Sequence, residues 1–87
     1  MYQIRLTNSA QKDLDKLHGN LWERLRTAIQ GLGEEPRPHG YTKLRTDSNL
    51  FRVRVGDYRI LYEISDSNQS VLVLQVKHRR EVYRGLS

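Results

Sequence analysis

A chain of 87 residues with no cysteine and a net charge of +5 makes one small domain with a modest apolar core, and neither a disulfide framework nor a thiolate metal site can support it. The first residues are interrupted by Gln3 and Arg5, too short and polar for a signal peptide, and no apolar run approaches the length of a membrane span. A soluble, cytoplasmic protein is therefore expected, folded as a single domain over residues 1–87.

The charge is unevenly spread. Residues 1–36 balance five basic against five acidic side chains, whereas residues 37–87 hold ten basic and five acidic ones. Arginine outnumbers lysine eleven to four, and its planar fork suits phosphate and carboxylate better than an ammonium does. A polyanionic partner is indicated, either nucleic acid or an acidic protein.

In chain order, residues 2–7 alternate apolar and polar and predict a first strand. Asn8-Ser9 offers a helix N-cap, followed by Ala10, Leu14 and Leu17 at helical spacing. His18-Gly19-Asn20 predicts a turn, and Asn20 with Glu23 has the spacing of a capping box. The second helix carries Leu21, Leu25, Ala28, Ile29 and Leu32 on one side, with Trp22 near its edge. Gly31 and Gly33 are expected to fray its end, and Pro36 and Pro38 forbid continuation. Residues 34–49 read as a loop, with a brief extended piece at Lys43, Leu44 and Arg45.

Residues 51–62, Phe-Arg-Val-Arg-Val-Gly-Asp-Tyr-Arg-Ile-Leu-Tyr, alternate, break at Gly56-Asp57 and resume, which predicts a β-hairpin. A turn on that pair sets Val55 opposite Tyr58, Arg54 opposite Arg59, Val53 opposite Ile60 and Arg52 opposite Leu61. Paired side chains share a face. One face then collects Phe51, Val53, Val55, Tyr58, Ile60 and Tyr62 as core, and the other collects Arg52, Arg54 and Arg59. Like charges directly opposite each other are unfavourable in a sheet; either solvation with the guanidiniums bent apart, or a polyanion across the face, relieves them. Glu63 in the same strand is expected to be an ion-pair partner for these cations.

Residues 66–69 predict another turn. Residues 71–76, Val-Leu-Val-Leu-Gln-Val, are nearly all apolar, so a central strand covered on both sides is expected; its register is not set by the sequence. The tail from Lys77 to Arg84 is dense in charge. The order β-α-α-β-β-β predicts an α+β fold, an N-terminal helical hairpin packed on a mostly antiparallel four-stranded sheet.

In Lys43-Leu44, residues 55–64 (Val-Gly-Asp-Tyr-Arg-Ile-Leu-Tyr-Glu-Ile) and residues 76–83 (Val-Lys-His-Arg-Arg-Glu-Val-Tyr), the chain resembles the RelE/ParE superfamily of toxins from bacterial toxin–antitoxin pairs, and the resemblance spans nearly its whole length. The resemblance implies one of two activities. RelE-like members cleave messenger RNA in the ribosomal A site; ParE-like members inhibit DNA gyrase and cut nothing. It also implies a small antitoxin protein as partner and, for the RelE reading, contacts with mRNA on the ribosome and with rRNA.

By position, the RelE resemblance implies functional roles for Arg52, Arg54, Arg59, Arg79 and Tyr83, of which Arg52 is expected to bind RNA and the others to be catalytic; Lys43, Arg45, Lys77 and Arg80 are further candidates for RNA binding. The chemistry implied uses no metal or other cofactor: the 2′-hydroxyl attacks the adjacent phosphorus, giving a 2′,3′-cyclic phosphate and a 5′-hydroxyl. It needs a base at the 2′-oxygen, an acid at the departing 5′-oxygen and positive charge on the non-bridging oxygens. Arg59 and Arg79 suit the last task because they stay charged, and Arg54 can orient the phosphate bidentately. Arginine does not readily give up a proton, so the base must lie elsewhere. Tyr83 is the first candidate, since neighbouring cations favour its phenolate; His78 is the second, with an intrinsic pKa suited to neutral pH. His18 and His39 are scattered, and no metal site is expected. A binding module that has lost catalysis is the remaining alternative.

Overall fold

The computed structural model describes residues 1–44 and 49–80. They form β1 (Gln3–Leu6), α1 (Asn8–Asp15), α2 (Gly19–Glu34), β2 (Thr42–Lys43), β3 (Leu50–Val55), β4 (Tyr58–Ser65) and β5 (Ser70–His78). One five-stranded sheet runs in the order β1-β5-β4-β3-β2. All neighbours are antiparallel except β1, which lies parallel to β5. The α+β class and the helical hairpin agree with the sequence reading, but the sheet has one strand more than the four expected. The extra strand is β2, where Thr42 and Lys43 pair with Arg52 and Phe51. Two residues are too few to display an alternation.

Helix boundaries differ for identifiable reasons. α1 is capped by Thr7, whose hydroxyl accepts from the Ala10 N–H at 3.0 Å, not by Asn8-Ser9. The same hydroxyl donates to the Leu74 carbonyl at 2.8 Å, so the cap also fastens α1 to β5. α2 opens at Gly19, whose φ of +63° reverses the chain at low steric cost. Asn20 is already inside that helix, no side chain caps it, and the Asn20–Glu23 capping box does not form. Nor does Gly33 fray the other end. Its carbonyl accepts from the Tyr2 N–H at 2.7 Å, and a Cβ there would come 3.1 Å from the Tyr2 carbonyl oxygen. The glycine lets α2 lie directly against the start of β1.

Both helices pack on one face of the sheet. Ala10 and Leu14 of α1 and Leu25, Ile29 and Leu32 of α2 meet Phe51, Val53, Ile60, Tyr62, Ile64, Val71, Val73 and Val76. Each fully buried aliphatic or aromatic side chain of this kind stabilises the fold by roughly 1.5–3 kcal/mol. Tyr62 is sealed completely, yet its hydroxyl donates to the Pro36 carbonyl at 2.8 Å, which pins the loop after α2 to the core. Burial pushes that phenol up to about 12.

The β3–β4 register is the expected one, with Arg54 opposite Arg59 and Val55 opposite Tyr58. β4 and β5 contain an irregularity that the sequence did not reveal. Ile60 pairs with Val76 and Leu61 with Gln75, but Tyr62 pairs with Val73. Leu74 is the additional residue, a β-bulge. Without it, strict alternation would turn Val76 away from the helices while Val71 and Val73 faced them; with it, Val71, Val73 and Val76 are all buried. The expectation of a strand covered on both sides is not met, since Leu72, Leu74 and Gln75 remain only half-buried.

Candidate active site

The hairpin alternation that buries Val53, Ile60 and Tyr62 leaves Arg52, Arg54 and Arg59 on the far side of the sheet from the helices. Cross-strand pairing extends this row: Arg54 lies opposite Arg59, and Arg59 lies opposite Lys77. Arg52 lies opposite Leu61, and Leu61 opposite Gln75. This arginine face thus has a cationic row at the β3–β4 turn and a more apolar row behind it. Glu63, paired with Leu50 and Leu72, shares the face but stands two pairs further from the turn. It forms no ion pair among the described residues, contrary to the expectation.

The guanidiniums at 54 and 59 avoid each other by taking different environments. Arg54 is exposed and curls along its own strand, its Nε donating to the Gly56 carbonyl at 3.2 Å. Arg59 is 8% exposed, with Nε and Nη1 out of solvent. Arg52 is half-buried. Arg79 follows β5 directly, and its backbone N–H donates to the Asp57 carbonyl in the hairpin turn at 2.8 Å. Arg54, Arg59 and Arg79 therefore gather at one end of the sheet, around one turn. Arg80 is exposed next to them.

Two predicted residues have other surroundings. His78 pairs with Tyr58, and their rings meet edge-on at 5.4 Å between centroids; Tyr58 packs against the core, so His78 turns toward the helix side, away from Arg54 and Arg59. Its Nδ1 accepts a long 3.4 Å hydrogen bond from the Arg80 N–H. Lys77 is placed opposite Arg59, but its ammonium reaches Asp13 at 2.6 Å. Lys43 sits in β2 with Nζ 5.9 Å from the Phe51 ring, on the helix side of the sheet. Tyr83 and Arg45 lie outside the described residues.

Sequence reading missed Asp13 and Arg24. Asp13 is 7% exposed and accepts both from Lys77 and from the Val76 N–H at 2.9 Å. It satisfies the β5 edge just where β1 has ended. Arg24 approaches the hairpin turn from α2. A common signal exists in the sequence: Asp13 falls between Ala10, Leu14 and Leu17, and Arg24 between Leu21, Leu25 and Ala28, each a charge at an i+3 position of an apolar stripe. At the opposite end of the sheet, Asp66 accepts from Arg37 at 3.0 and 3.3 Å and from the Tyr2 hydroxyl at 2.6 Å. The Arg37 hydrogen bonds, then that of Tyr2, hold its carboxyl below the usual range. Arg37 also lies 5.4 Å over the Phe51 ring. This cluster ties the N-terminus, the post-helix loop and the β4–β5 turn together, remote from the arginine row. Among the described residues, no group of three or more His, Asp or Glu is placed to hold a metal ion.

The arrangement can bind a phosphodiester on the arginine face and stabilise charge that develops on its oxygens. Comparison with known proteins agrees with the fold that builds it. The family model described as the ParE toxin of the type II toxin–antitoxin system ParDE matches residues 4–83. Toxin RelG of Mycobacterium tuberculosis is 36% identical over 84 residues, covering 95% of this chain and 97% of its own. The toxin–antitoxin complex RelBE2 from the same organism contains a chain 34% identical with a TM-score of 0.77, covering 90% of this chain and 98% of that one. The archaeal RelE–RelB complex of Pyrococcus horikoshii gives a TM-score of 0.80 at 28% identity, over 90% of this chain and 94% of that one. Five strands, a helical hairpin, a matching family model and relatives aligned end to end lead to one conclusion: the chain belongs to the RelE/ParE family of toxins from type II toxin–antitoxin systems.

Proposed function

We propose that this toxin is an endoribonuclease that cuts messenger RNA, in the ribosomal A site, by attack of a 2′-hydroxyl on the adjacent phosphorus. The observation that carries the reading is the cross-strand pair Arg54–Arg59, flanked by Arg52 and by the chain at Arg79. Like charges side by side on a sheet are unfavourable alone, and a phosphate bridging them converts that cost into binding. Arg54 has free donors to grip a non-bridging oxygen. Arg59, held out of solvent, acts where a low local dielectric strengthens its field. Arg79 completes the positive environment from the end of β5. As the 2′-oxygen bonds to phosphorus, the bond to the 5′-oxygen breaks. Tyr83 is assigned as the base that takes the 2′ proton; His78 ranks below it because its ring faces Tyr58. The departing 5′-oxygen takes a proton from water and leaves as a hydroxyl.

An acidic antitoxin segment that folds on binding is the proposed protein partner, supported by the net positive charge and by relatives solved as RelE–RelB complexes. Coexpression of the adjacent small reading frame is expected to relieve growth arrest.

A ParE-like gyrase inhibitor is the second reading. It is favoured by the matching family model and by the surroundings of His78, whose ring meets Tyr58, and of Lys77, whose ammonium is bound to Asp13, so that neither stands beside Arg54. Incubation with programmed ribosomes and with gyrase in parallel separates the two. Cleavage with 2′,3′-cyclic phosphate and 5′-hydroxyl ends is expected; intact message at saturating toxin, with supercoiling blocked, would move the assignment to gyrase.

A further inference from the structure

We infer that Arg24 of α2 and Arg54 of β3 form a clamp for an RNA backbone phosphate at the hairpin tip, carrying the RNA from the arginine face around the turn onto α2. This rests on the RNA-binding reading above and extends it to a residue on the other side of the sheet.

The geometry begins with Gly56. Its φ is +60°, and a Cβ placed there would stand 3.3 and 3.5 Å from the Arg24 Nη2 and Nη1 atoms. The edge of the Arg24 guanidinium that carries Nη1 and Nη2 therefore lies against the turn from the helix side. From the strand side, the Nε of Arg54 donates to the carbonyl of the same glycine at 3.2 Å. Two guanidiniums thus converge on one residue that has no side chain of its own to separate them. Arg24 has no ion pair or hydrogen bond among the described residues, and it is exposed despite sitting on the apolar stripe of its helix. Next to it, a groove of about 390 Å³ runs between α2 and β3, lined by Glu23, Arg24, Thr27, Ala28 and Val55. The backbone of Arg79 is bonded to the adjacent Asp57, which brings a further cation to the tip.

A guanidinium packed edge-on against a turn, with its donors unspent, is preorganised to meet two oxygens of one phosphate. Repulsion between Arg24 and Arg54 would be lowered by an anion between them, and a chain with a phosphate at every nucleotide can occupy this site and the Arg54–Arg59 pair at once. The tip then acts as a corner over which the backbone bends.

The test measures binding against salt in two arms, one with a short single-stranded RNA and one with ribosomes programmed with a message carrying a 2′-deoxy A-site codon, which blocks cleavage. Each phosphate contact with single-stranded RNA contributes about 0.7 to the slope of log K on log salt. Arg24→Gln is expected to lower the slope by about that amount in at least one arm, which also shows whether the phosphate belongs to free single-stranded RNA or to the ribosomal complex. Arg24→Lys is expected to restore the slope, because the slope counts the charge and the charge returns. Arg26→Gln, which removes a guanidinium stacked 5.6 Å over Trp22, is expected to leave it unchanged. An unaltered slope for Arg24→Gln in both arms, or no recovery in Arg24→Lys, overturns the clamp while RNA recognition itself stands. A wild-type toxin that binds neither RNA nor ribosomes overturns the RNA reading and the clamp together.

Discussion

On the helix side of the sheet Val53, Ile60, Tyr62 and Val73 are sealed against α1 and α2, whereas one residue along the same strands Arg52, Arg54 and Arg59 face the other way. The two faces share a backbone and a register, so neither can move without the other. Their energetic roles are nevertheless opposite. The apolar face gains free energy by leaving water. The charged face sets Arg54 opposite Arg59, with the Arg54 guanidinium turned onto the Gly56 carbonyl and that of Arg59 largely out of solvent. Packing accounts for the first face; the proposed anion on the second is what the substitutions below test.

Substitutions can sharpen or break this contrast. The largest stability effect is expected for Leu25→Ala, which empties a fully buried position on the helix side; a loss of about 3 kcal/mol in urea unfolding follows from comparable core truncations. Cleavage by the remaining folded fraction should be unchanged, and a selective loss of cleavage would blur the division between faces. Asp13→Asn comes next, at about 2 kcal/mol in the same measurement, because it breaks the charge-assisted bond to Lys77 and weakens the bond to the Val76 N–H. Tyr62→Phe removes one buried hydrogen bond, to Pro36, and is expected to cost about 1 kcal/mol. The same variant has an alkaline signature. A phenol raised to about 12 in the folded chain, against an ordinary 10.0, holds its proton longer folded than unfolded, so its contribution is intact below pH 10 and declines as pH rises toward 12. Tyr62→Phe should remove that decline and the latest-ionising tyrosine from an ultraviolet titration.

The smallest effect is expected for Asp66→Asn. The Asp66 carboxyl is held below its usual range by Arg37 and Tyr2, so it favours folding above the unfolded carboxylate pKa, and the benefit is lost as pH falls through the lower folded value. Thermal melts of wild type and variant should therefore differ by a constant small amount near neutrality and converge in acid. Divergence on acidification would contradict the assignment.

The hairpin was legible because its turn is only two residues, Gly56 and Asp57, which leaves a single register for the flanking alternation. From that register the arginine face follows without coordinates. The Leu74 bulge was not legible, since a run of Val and Leu has no polar beat to mark where alternation slips. β2 was anticipated only as a brief extended piece from Lys43, whereas the strand is Thr42–Lys43, and the parallel docking of β1 on β5 is a long-range choice that local pattern does not encode. Thr7 displaced Asn8-Ser9 as the cap because its hydroxyl serves Ala10 and Leu74 together. The last strand was expected to end at residue 76 but runs on to His78, and only the pairing of Tyr58 with His78 reveals that the histidine faces the core side. The backbones of Arg54, Arg59 and Arg79 lie around one turn, a neighbourhood that the hairpin pattern alone gives for Arg54 and Arg59 but not for Arg79; Asp13 and Arg24 were passed over because charges on amphipathic helices ordinarily face water.

The most direct test of the division between faces is Arg54→Ala, since Arg59 is too buried to remove without disturbing the fold. Urea unfolding and A-site cleavage are measured on the same preparation. The expected result is a stability equal to or slightly above wild type, because a like-charge pair is relieved, with cleavage reduced by about 100-fold, the effect of losing one preorganised charge-stabilising donor. Undiminished cleavage, or a loss of stability large enough to explain the lost activity, would show that the arginine face serves the fold and not the reaction.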